Sequence, residues 1–348
     1  MANNNRRLAL LTLVSSFVVA SCGGGGGSDA IVEPPAPGPG DTRAAAATAT
    51  ANGNPLCSES VLGPFYWEIG DADGVKVSGK VGTGAPTATT QMWVFSSSKW
   101  LYAANVVQKR GVLAQDVAFL NFTSGYTNFG NAPICVGIGT DTVESCLVGR
   151  DGQNLANVGR FYYDSGHMQH HAAATMGLGP DNNTALAADL NATVGNFAFT
   201  YTVPQLAAGV VASPQAYAGF LRRMLRGELK LGSALGSNKV CADPNAPGCN
   251  AVSAPDLGAA AAAGESLNYS LGHWVEDDPK VGDHAFSSAG GGGFYPWIDS
   301  TKTYYGILAR ERETEADAGW HSAQCGRLIR QAWRTGVTVT GTTPTPTP

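Results

Sequence analysis

Alternation of apolar and polar residues predicts β-strands near both ends of the chain. Phe65–Ile69 and Val75–Val81 flank a turn at Asp71–Gly74, a pattern typical of a β-hairpin. Towards the other end, three segments of similar character predict further strands over Tyr269–Val275, Phe294–Asp299 and Tyr304–Arg310. Strand groups this far apart in sequence can still complete one antiparallel sheet.

Helical spacing of apolar residues dominates the region between the two strand groups and the last part of the chain. It predicts helices or helical turns over Trp100–Lys109, Asp116–Leu120, His167–Met176, Ala216–Gly227 and Gly319–Arg334. Together the elements predict an α+β fold. Its antiparallel sheet is built from both chain ends and flanked by helices, with a mostly helical second subdomain.

The first residues have the pattern of a secretory signal. Asn3–Arg7 is polar and ends in two arginines, and Leu8–Ala20 is apolar but too short to span a bilayer stably. Val19–Cys22 is similar to a bacterial lipobox, which predicts cleavage after residue 21 and a lipid on the Cys22 thiol. The alternative is an ordinary signal peptide with an incidental cysteine. We expect a periplasmic protein, on the outer membrane, that contacts the membrane only through this lipid anchor.

Composition then divides the rest of the chain. Residues 22–54 are rich in Gly, Pro and Ala, so we expect a disordered linker, and we expect the same of the tail at 341–348. The remaining residues, 55–340, form one predicted folded domain. Charged residues make up 14% of the chain and the net charge is −5. Without a basic stretch, nucleic acid is excluded as a partner.

Six cysteines remain after Cys22, an even number for an oxidising compartment. No C-x-x-C pair is present, which argues against a zinc site. Fifteen pairings are possible, and the simplest joins neighbours: Cys135 with Cys146, Cys241 with Cys249, and therefore Cys57 with Cys325.

Ser96 and Lys99 are the residues with the clearest chemical potential. They are three residues apart at the start of a predicted helix, so their side chains share a face of its first turn. A lysine amine whose pKa is lowered by burial can take the proton of a serine hydroxyl and make it a nucleophile. The alternative is a serine that caps the helix and a solvated lysine.

Four stretches carry a resemblance to a known family. The hairpin Phe65–Val81 stands where that family has its first two strands. Ser96–Lys99 matches an S-x-x-K motif, Phe119–Gly125 is similar to L-L-x-H-T-S-G, and Tyr163-Asp164-Ser165 is similar to Y-x-N. With these motifs between the two strand groups, the chain resembles the serine β-lactamase and penicillin-binding-protein superfamily. The most similar branches are the class C β-lactamases, the DD-peptidases and the family VIII esterases.

This resemblance implies a β-lactamase/transpeptidase-like fold and a role for each matching residue. Ser96 would be the acylated nucleophile and Lys99 its proton acceptor. Tyr163 would share that role or pass the proton to the leaving group. Ser165 would stand where the family has a substrate-contacting Asn. The family's oxyanion hole uses the backbone N–H of the nucleophile and one from a facing strand.

The motif of that facing strand, K-T-G or H-T-G in the family, is altered in this chain. Ser287-Ser288-Ala289 replaces it in the alignment that we prefer, because the glycines from Gly290 to Gly293 then follow directly; His284-Ala285-Phe286 is the other alignment. Ser287, Ser288 and Gly290 would then line the substrate and oxyanion site. In the preferred alignment no cation remains for a substrate carboxylate.

The resemblance therefore implies a serine hydrolase that acts through an acyl-enzyme, without a cofactor. An ester or amide, either a small molecule or a peptidoglycan-like compound, would be its substrate. The neutral third motif favours an esterase over a true β-lactamase. The alternative is a catalytically inactive lipoprotein that keeps the fold as a binding module.

A histidine cluster offers a competing site. At helical spacing His167, His170 and His171 could share a face and bind a metal ion. No acidic residue stands beside them at a familiar metallohydrolase spacing. We therefore predict no metal, and expect instead that His167 orients Tyr163, four residues before it.

Overall fold

The structure is a computed structural model that describes residues 42–132, 135, 140–253 and 264–346. The predicted signal peptide and the lipobox at Cys22 lie outside these ranges. None of the helices within them has the length and apolar character needed to cross a bilayer.

Eight strands form one antiparallel sheet, and they come from both ends of the described chain, as predicted. Their order is β2-β1-β13-β12-β11-β10-β9-β7. Within the described residues, the first and last strands are neighbours near one edge of this sheet, where Tyr66 pairs with Ala309 and Asp71 with Tyr304. The strands are β1 Phe65–Asp71, β2 Val75–Val81, β7 Val240–Cys241, β9 Asn268–Ser270, β10 His273–Glu276, β11 Ala285–Ser287, β12 Tyr295–Ile298 and β13 Tyr304–Ala309.

Two smaller sheets lie in the middle of the chain. One is antiparallel and has the order β3-β6-β5; in the other, β4 and β8 pair in parallel. These strands are short: β3 Met92–Trp93, β4 Phe161–Tyr162, β5 Thr200–Tyr201, β6 Val210–Ala212 and β8 Ala251–Ser253.

Nine α-helices are present in the described ranges. They are α1 Thr42–Gly53, α2 Glu59–Leu62, α3 Ser98–Arg110, α4 Ala114–Leu120, α5 Gly166–Ala174, α6 Asn183–Val194, α7 Pro214–Leu225, α8 Lys230–Ala234 and α9 Ala318–Thr335. Helix α9 packs on strands β12 and β13 of the large sheet, and α6 packs on α3. One hydrophobic core joins them, with Trp67, Trp100, Trp274 and Trp333 among its largest buried side chains.

The segment predicted as one strand over Tyr269–Val275 is two strands. β9 and β10 form a tight hairpin whose turn has positive φ at Leu271 (40°) and Gly272 (81°). Gly272 lies against helix α3, where a Cβ atom would come within 2.6 Å of Ala103 Cβ. The chain therefore reverses where only glycine fits the packing, and alternation alone could not reveal the turn.

Residues 22–41 of the predicted disordered linker lie outside the described ranges. Over residues 42–53 the prediction is wrong, because the chain forms helix α1 there. It packs on helix α9 through small buried residues that include Ala47 and Ala51. Small side chains let two helix backbones approach closely, so this segment needs no large apolar residue to pack. Arg43 adds its guanidinium over the Trp333 ring at 4.9 Å.

The C-terminal tail has no helix or strand over its described residues, but it makes specific contacts. Thr345 accepts from and donates to the side-chain amide of Gln331. Just before the tail, Asn54 Nδ2 donates to the carbonyls of Val339 and Gly341. Hydrogen bonds thus connect the end of the folded domain to its first residues.

All three disulfides pair as the simplest prediction had them. Cys57–Cys325 joins the start of the folded domain to helix α9. The other two disulfides close the short loops Cys135–Cys146 and Cys241–Cys249. The long-range bridge closes 268 residues and so restricts the unfolded chain most, in the chain-entropy account of disulfide stability.

Candidate active site

The turn that carries Ser96 connects strand β3 to helix α3. It is a 3-10 turn over Phe95–Ser97, and the α-helix begins directly after it at Ser98. Phe95 has a φ of 46°, a strained conformation for a residue with a bulky side chain. Such strain in the residue before a candidate nucleophile is the kind that accumulates at functional sites.

Ser96 and Lys99 are in direct contact. Lys99 Nζ lies 2.8 Å from Ser96 Oγ and donates a second hydrogen bond to the Ala207 carbonyl at 3.0 Å. Ser96 is 6% exposed and Lys99 is 1% exposed. The alternative interpretation, a solvated lysine one turn from a capping serine, is therefore wrong. Water cannot compete freely for this pair, so the amine and hydroxyl interact at close range.

Tyr163 is next to Lys99, whose Nζ lies 4.7 Å from the centroid of the tyrosine ring. The ring is buried, stacks on Trp274 of β10 at 5.4 Å and meets Phe122 edge-on at 5.2 Å. The structure therefore brings together all three residues predicted as catalytic. The fold achieves this by packing the loop after β4 against helix α3 and the large sheet.

Strand β11 leads into the segment that faces the Ser96 turn. Ser288 Oγ donates to the Ser96 carbonyl at 3.3 Å, and Ser97 Oγ donates to the Ser288 carbonyl at 2.5 Å. Gly290 is so close to the turn that a Cβ atom would lie 2.2 Å from the Val94 carbonyl oxygen. Ser288 and Gly290 therefore adjoin the candidate nucleophile, as the preferred alignment predicts.

Comparison with known proteins gives matches at the level of structure alone. No protein-family model and no curated protein matches the sequence. Among solved structures, the octameric penicillin-binding protein homologue of Pyrococcus abyssi aligns with a TM-score of 0.53 at 13% identity, covering 77% of this chain and 73% of that one. A penicillin-binding protein of Bacillus halodurans aligns at 0.51 and 10% identity, over 74% and 93%. The D-amino acid amidase of Ochrobactrum anthropi SV3 aligns at 0.50 and 11% identity, over 77% and 94%.

The chain has the serine β-lactamase/penicillin-binding-protein fold. This confirms the fold that the motifs indicated. At these identities the likeness establishes the fold and leaves the chemistry to the residues of the site.

Within this β-lactamase-like fold, two predicted substrate residues point elsewhere. Ser165 is fully buried and its Oγ donates to Asn131 Oδ1 at 3.2 Å. Ser287 Oγ donates to Glu276 Oε1 at 2.5 Å, behind the strand. Successive side chains of a strand point to opposite faces, so Ser288 can face the nucleophile turn only if Ser287 does not. The prediction that Ser165 and Ser287 line the substrate site is therefore wrong for both residues.

Asn131 is a residue near the site that the sequence reasoning missed. It also donates from Nδ2 to the Tyr163 carbonyl at 2.9 Å, and thereby ties the Tyr163–Ser165 loop together. Asp164 of the same loop accepts from the Gly130 and Gly166 amides. Burial raises the pKa of Asp164, while those amides and the charge of Lys99 oppose the rise. Asn131 follows no motif, and no signal in the sequence singles it out.

Three buried arginines bind partners that are not part of the Ser96 site. Arg310 binds Glu315 and the carbonyls of Leu62 and Ala318. Arg327 and Arg330 bind carboxylates behind strand β11. None of the three replaces the cation that the altered third motif lacks.

The three histidines of helix α5 have separate partners. His170 pairs with Asp151, while His171 contacts Asp116 and Tyr102. Across the ranges that the structure describes, no three His, Cys, Asp or Glu side chains are grouped so that they could hold a metal ion. The cluster is thus divided among the surrounding elements.

His167 does not orient the Tyr163 phenol through the contacts that it makes. Its Nε2 contacts the Tyr162 carbonyl at 3.0 Å, and its Nδ1 contacts Ser124 Oγ at 2.6 Å. A carbonyl only accepts, so Nε2 carries the hydrogen and Nδ1 accepts from the hydroxyl. Burial lowers the pKa of His167 to about 3, so the ring is neutral and holds the loop in place.

Proposed function

We propose that this chain is a serine hydrolase that acts through an acyl-enzyme on an uncharged ester or amide. The observation that carries the proposal is the 2.8 Å contact between Ser96 Oγ and Lys99 Nζ in a site nearly closed to water. A hydroxyl and an amine at this distance, beside a tyrosine, are the parts that acyl transfer needs.

In the proposed reaction, Lys99 in its neutral form takes the Ser96 proton while Oγ bonds to the substrate carbonyl carbon. The proton passes to the leaving alcohol or amine, with Tyr163 next to Lys99 to relay it, and the ester or amide bond breaks. Water then attacks the acyl-enzyme, the carboxylic acid leaves, and the Ser96 hydroxyl is restored. The backbone N–H of Ser96 and that of Ala289 would bind the oxyanion, since the N–H groups of Ser288 and Gly290 donate to the Pro296 and Phe294 carbonyls.

The surroundings of Ser96 favour an uncharged substrate. Trp93 and Phe95, just before the nucleophile, stack with ring centroids 4.7 Å apart, and both rings are half-buried. Phe95 also packs on the backbone of Gly292, where a Cβ atom would lie 2.5 Å from the ring. An aromatic surface of this kind and a third motif without a cation suit an apolar group better than a carboxylate.

The proposal is tested by labelling with a fluorophosphonate probe and locating the adduct by mass spectrometry. We expect one adduct, on Ser96, which is lost in Ser96→Ala. Ser98→Ala is the matched control, because Ser98 lies in the same turn and its Oγ accepts from the Val210 amide. An unlabelled wild-type protein, or labelling that survives in Ser96→Ala, would overturn the assignment.

Paired substrates test the charge preference separately. We expect a higher kcat/KM for a neutral aryl ester than for the same ester with a carboxylate beside the scissile bond. An equal or higher kcat/KM for the charged ester would show that the third motif does not set the charge preference. The assignment of Ser96 as the nucleophile would not be affected.

We also propose that the protein is held in the cell envelope by a lipid on Cys22. The lipobox-like sequence and the Gly23–Gly27 tether support this. Metabolic labelling with a fatty-acid analogue should mark the wild-type protein and leave Cys22→Ser unmarked; labelling of both would contradict the proposal.

A further inference from the structure

A buried carboxylate with four hydrogen-bond donors lies behind the strand that faces the nucleophile. Glu276 of β10 is 1% exposed and accepts four hydrogen bonds. Its donors are Ser287 Oγ at 2.5 Å, Tyr295 OH at 2.7 Å, Arg327 Nε at 3.0 Å and Arg330 Nη2 at 2.6 Å. These donors lie on β11, β12 and α9, so one side chain joins three adjacent strands to the closing helix.

The same strand connects this carboxylate to the nucleophile. Ser287 points back to Glu276, and the next residue, Ser288, contacts the Ser96 carbonyl from the opposite face. Ser97 Oγ donates to the Ser288 carbonyl, and Gly290 abuts the Val94 carbonyl. A displacement of β11 therefore transmits directly to the turn that carries Ser96, because both sides of that contact are tightly packed.

The cluster pairs three carboxylates with three arginines, the third being Arg334 at 3.2 Å from Asp283, and Glu276 and its two arginine partners are buried. Arg330 also binds Asp283 through two hydrogen bonds of 2.7 and 2.8 Å, and Arg327 binds Glu265 at 2.6 Å. The two arginines lower the pKa of Glu276 to about 2, against its burial, so the carboxylate is ionised at neutral pH. Removing one charge from such a cluster leaves others unpaired, which is costly in a buried site.

We propose that Glu276 is a positioning residue for the Ser96 reaction: by holding Ser287 and β11, it places the Ser288–Gly290 segment against the nucleophile turn. This inference rests on the proposed function. Small displacements at a site of this kind can lower a rate by about a hundredfold even when the change lies outside the reacting groups.

Glu276→Gln tests the proposal, with Glu68→Gln as a matched control. Glu68 is another fully buried strand carboxylate in the same sheet, held by the Tyr66 and Tyr305 hydroxyls at 2.6 and 2.9 Å. It lies on β1, which is separated from β11 by β13 and β12. Both substitutions replace the carboxyl group of a buried strand residue with an amide, and only Glu276→Gln does so behind the facing strand.

The first readout is the rate of fluorophosphonate labelling at Ser96, measured where all variants are folded. We expect Glu276→Gln to lower the maximal inactivation rate about 10- to 100-fold with little change in probe affinity, and Glu68→Gln to change it less than about twofold. Ser287→Ala should reproduce part of the loss, and Ser287→Thr, which keeps the hydroxyl, should restore the rate.

The second readout does not depend on activity. Amide hydrogen exchange at Ser288 and Gly290, whose N–H groups donate to the Pro296 and Phe294 carbonyls, should become at least about tenfold faster in Glu276→Gln but not in Glu68→Gln. Unchanged exchange in this segment, or equal labelling rates in the two variants, would overturn the proposal. If wild-type Ser96 does not react with the probe, the proposed function fails, and the exchange comparison alone decides whether Glu276 positions the segment.

Discussion

The two sides of the candidate site differ in how closely they follow the family's pattern. On the nucleophile side, the residues that match the S-x-x-K and tyrosine motifs, Ser96, Lys99 and Tyr163, lie together. On the facing side, the strand keeps its position in the sheet but has an uncharged motif. The buried arginines nearest to this strand, Arg327 and Arg330 of helix α9, bind Glu276 behind it. Under the proposed function, acyl transfer and the recognition of substrate charge would therefore depend on separate parts of this fold.

The largest expected effect is that of a substitution at Lys99, which tests whether the nucleophile side depends on this residue. Lys99→Met removes the only partner on the nucleophile side proposed to accept the Ser96 proton, and its apolar side chain fits a buried site. We expect fluorophosphonate labelling of Ser96 to slow by about a thousandfold or more, within the range for loss of a general base, with the thermal unfolding midpoint little changed. Labelling at the wild-type rate would show that Ser96 is activated by another group.

A smaller effect is expected where the two sides touch. In Gly290→Ala the new Cβ atom would lie 2.2 Å from the Val94 carbonyl oxygen, so the facing segment and the nucleophile turn must move apart. We expect a loss of roughly 2–3 kcal/mol in unfolding free energy by urea titration, together with slower labelling. Gly291→Ala is the matched control, because its Cβ would meet nothing within 4 Å. Equal stability of the two variants would contradict the close packing.

The smallest effect concerns the pH dependence of stability and compares Glu276 with Glu68. The pKa of Glu276 is lowered to about 2, so its contribution is present above the ordinary value of 4.5 and is lost as the pH falls towards 2. Burial raises the pKa of Glu68, so its protonated form is favoured in the fold, and that contribution is lost as the pH rises through the raised value.

Urea titrations between about pH 3 and 9 should therefore change in opposite ways for the two variants. Glu68→Gln should gain stability relative to wild type as the pH rises, while Glu276→Gln should lose its disadvantage as the pH falls below about 4.5. Parallel curves for wild type and both variants would show that neither carboxylate titrates with folding.

Some elements of the fold could be predicted from the sequence and others could not. The sheet from both chain ends, helix α3 and the three disulfides follow from alternation, apolar spacing and cysteine positions, which are local or countable signals. The β9–β10 hairpin was missed because its turn at Leu271–Gly272 is set by contact with α3. Helix α1 was missed because its alanines are stabilised by α9, a partner nearly 300 residues away in sequence.

The sequence by itself determined that Ser96 and Lys99 share one face of a helical turn, because that spacing is a property of the helix. The tertiary structure alone decided that this pair is buried beside Tyr163, and that Ser288 faces it while Ser287 and Ser165 do not. Burial and strand facing depend on which surfaces meet when the sheet closes. No short stretch of sequence contains that information.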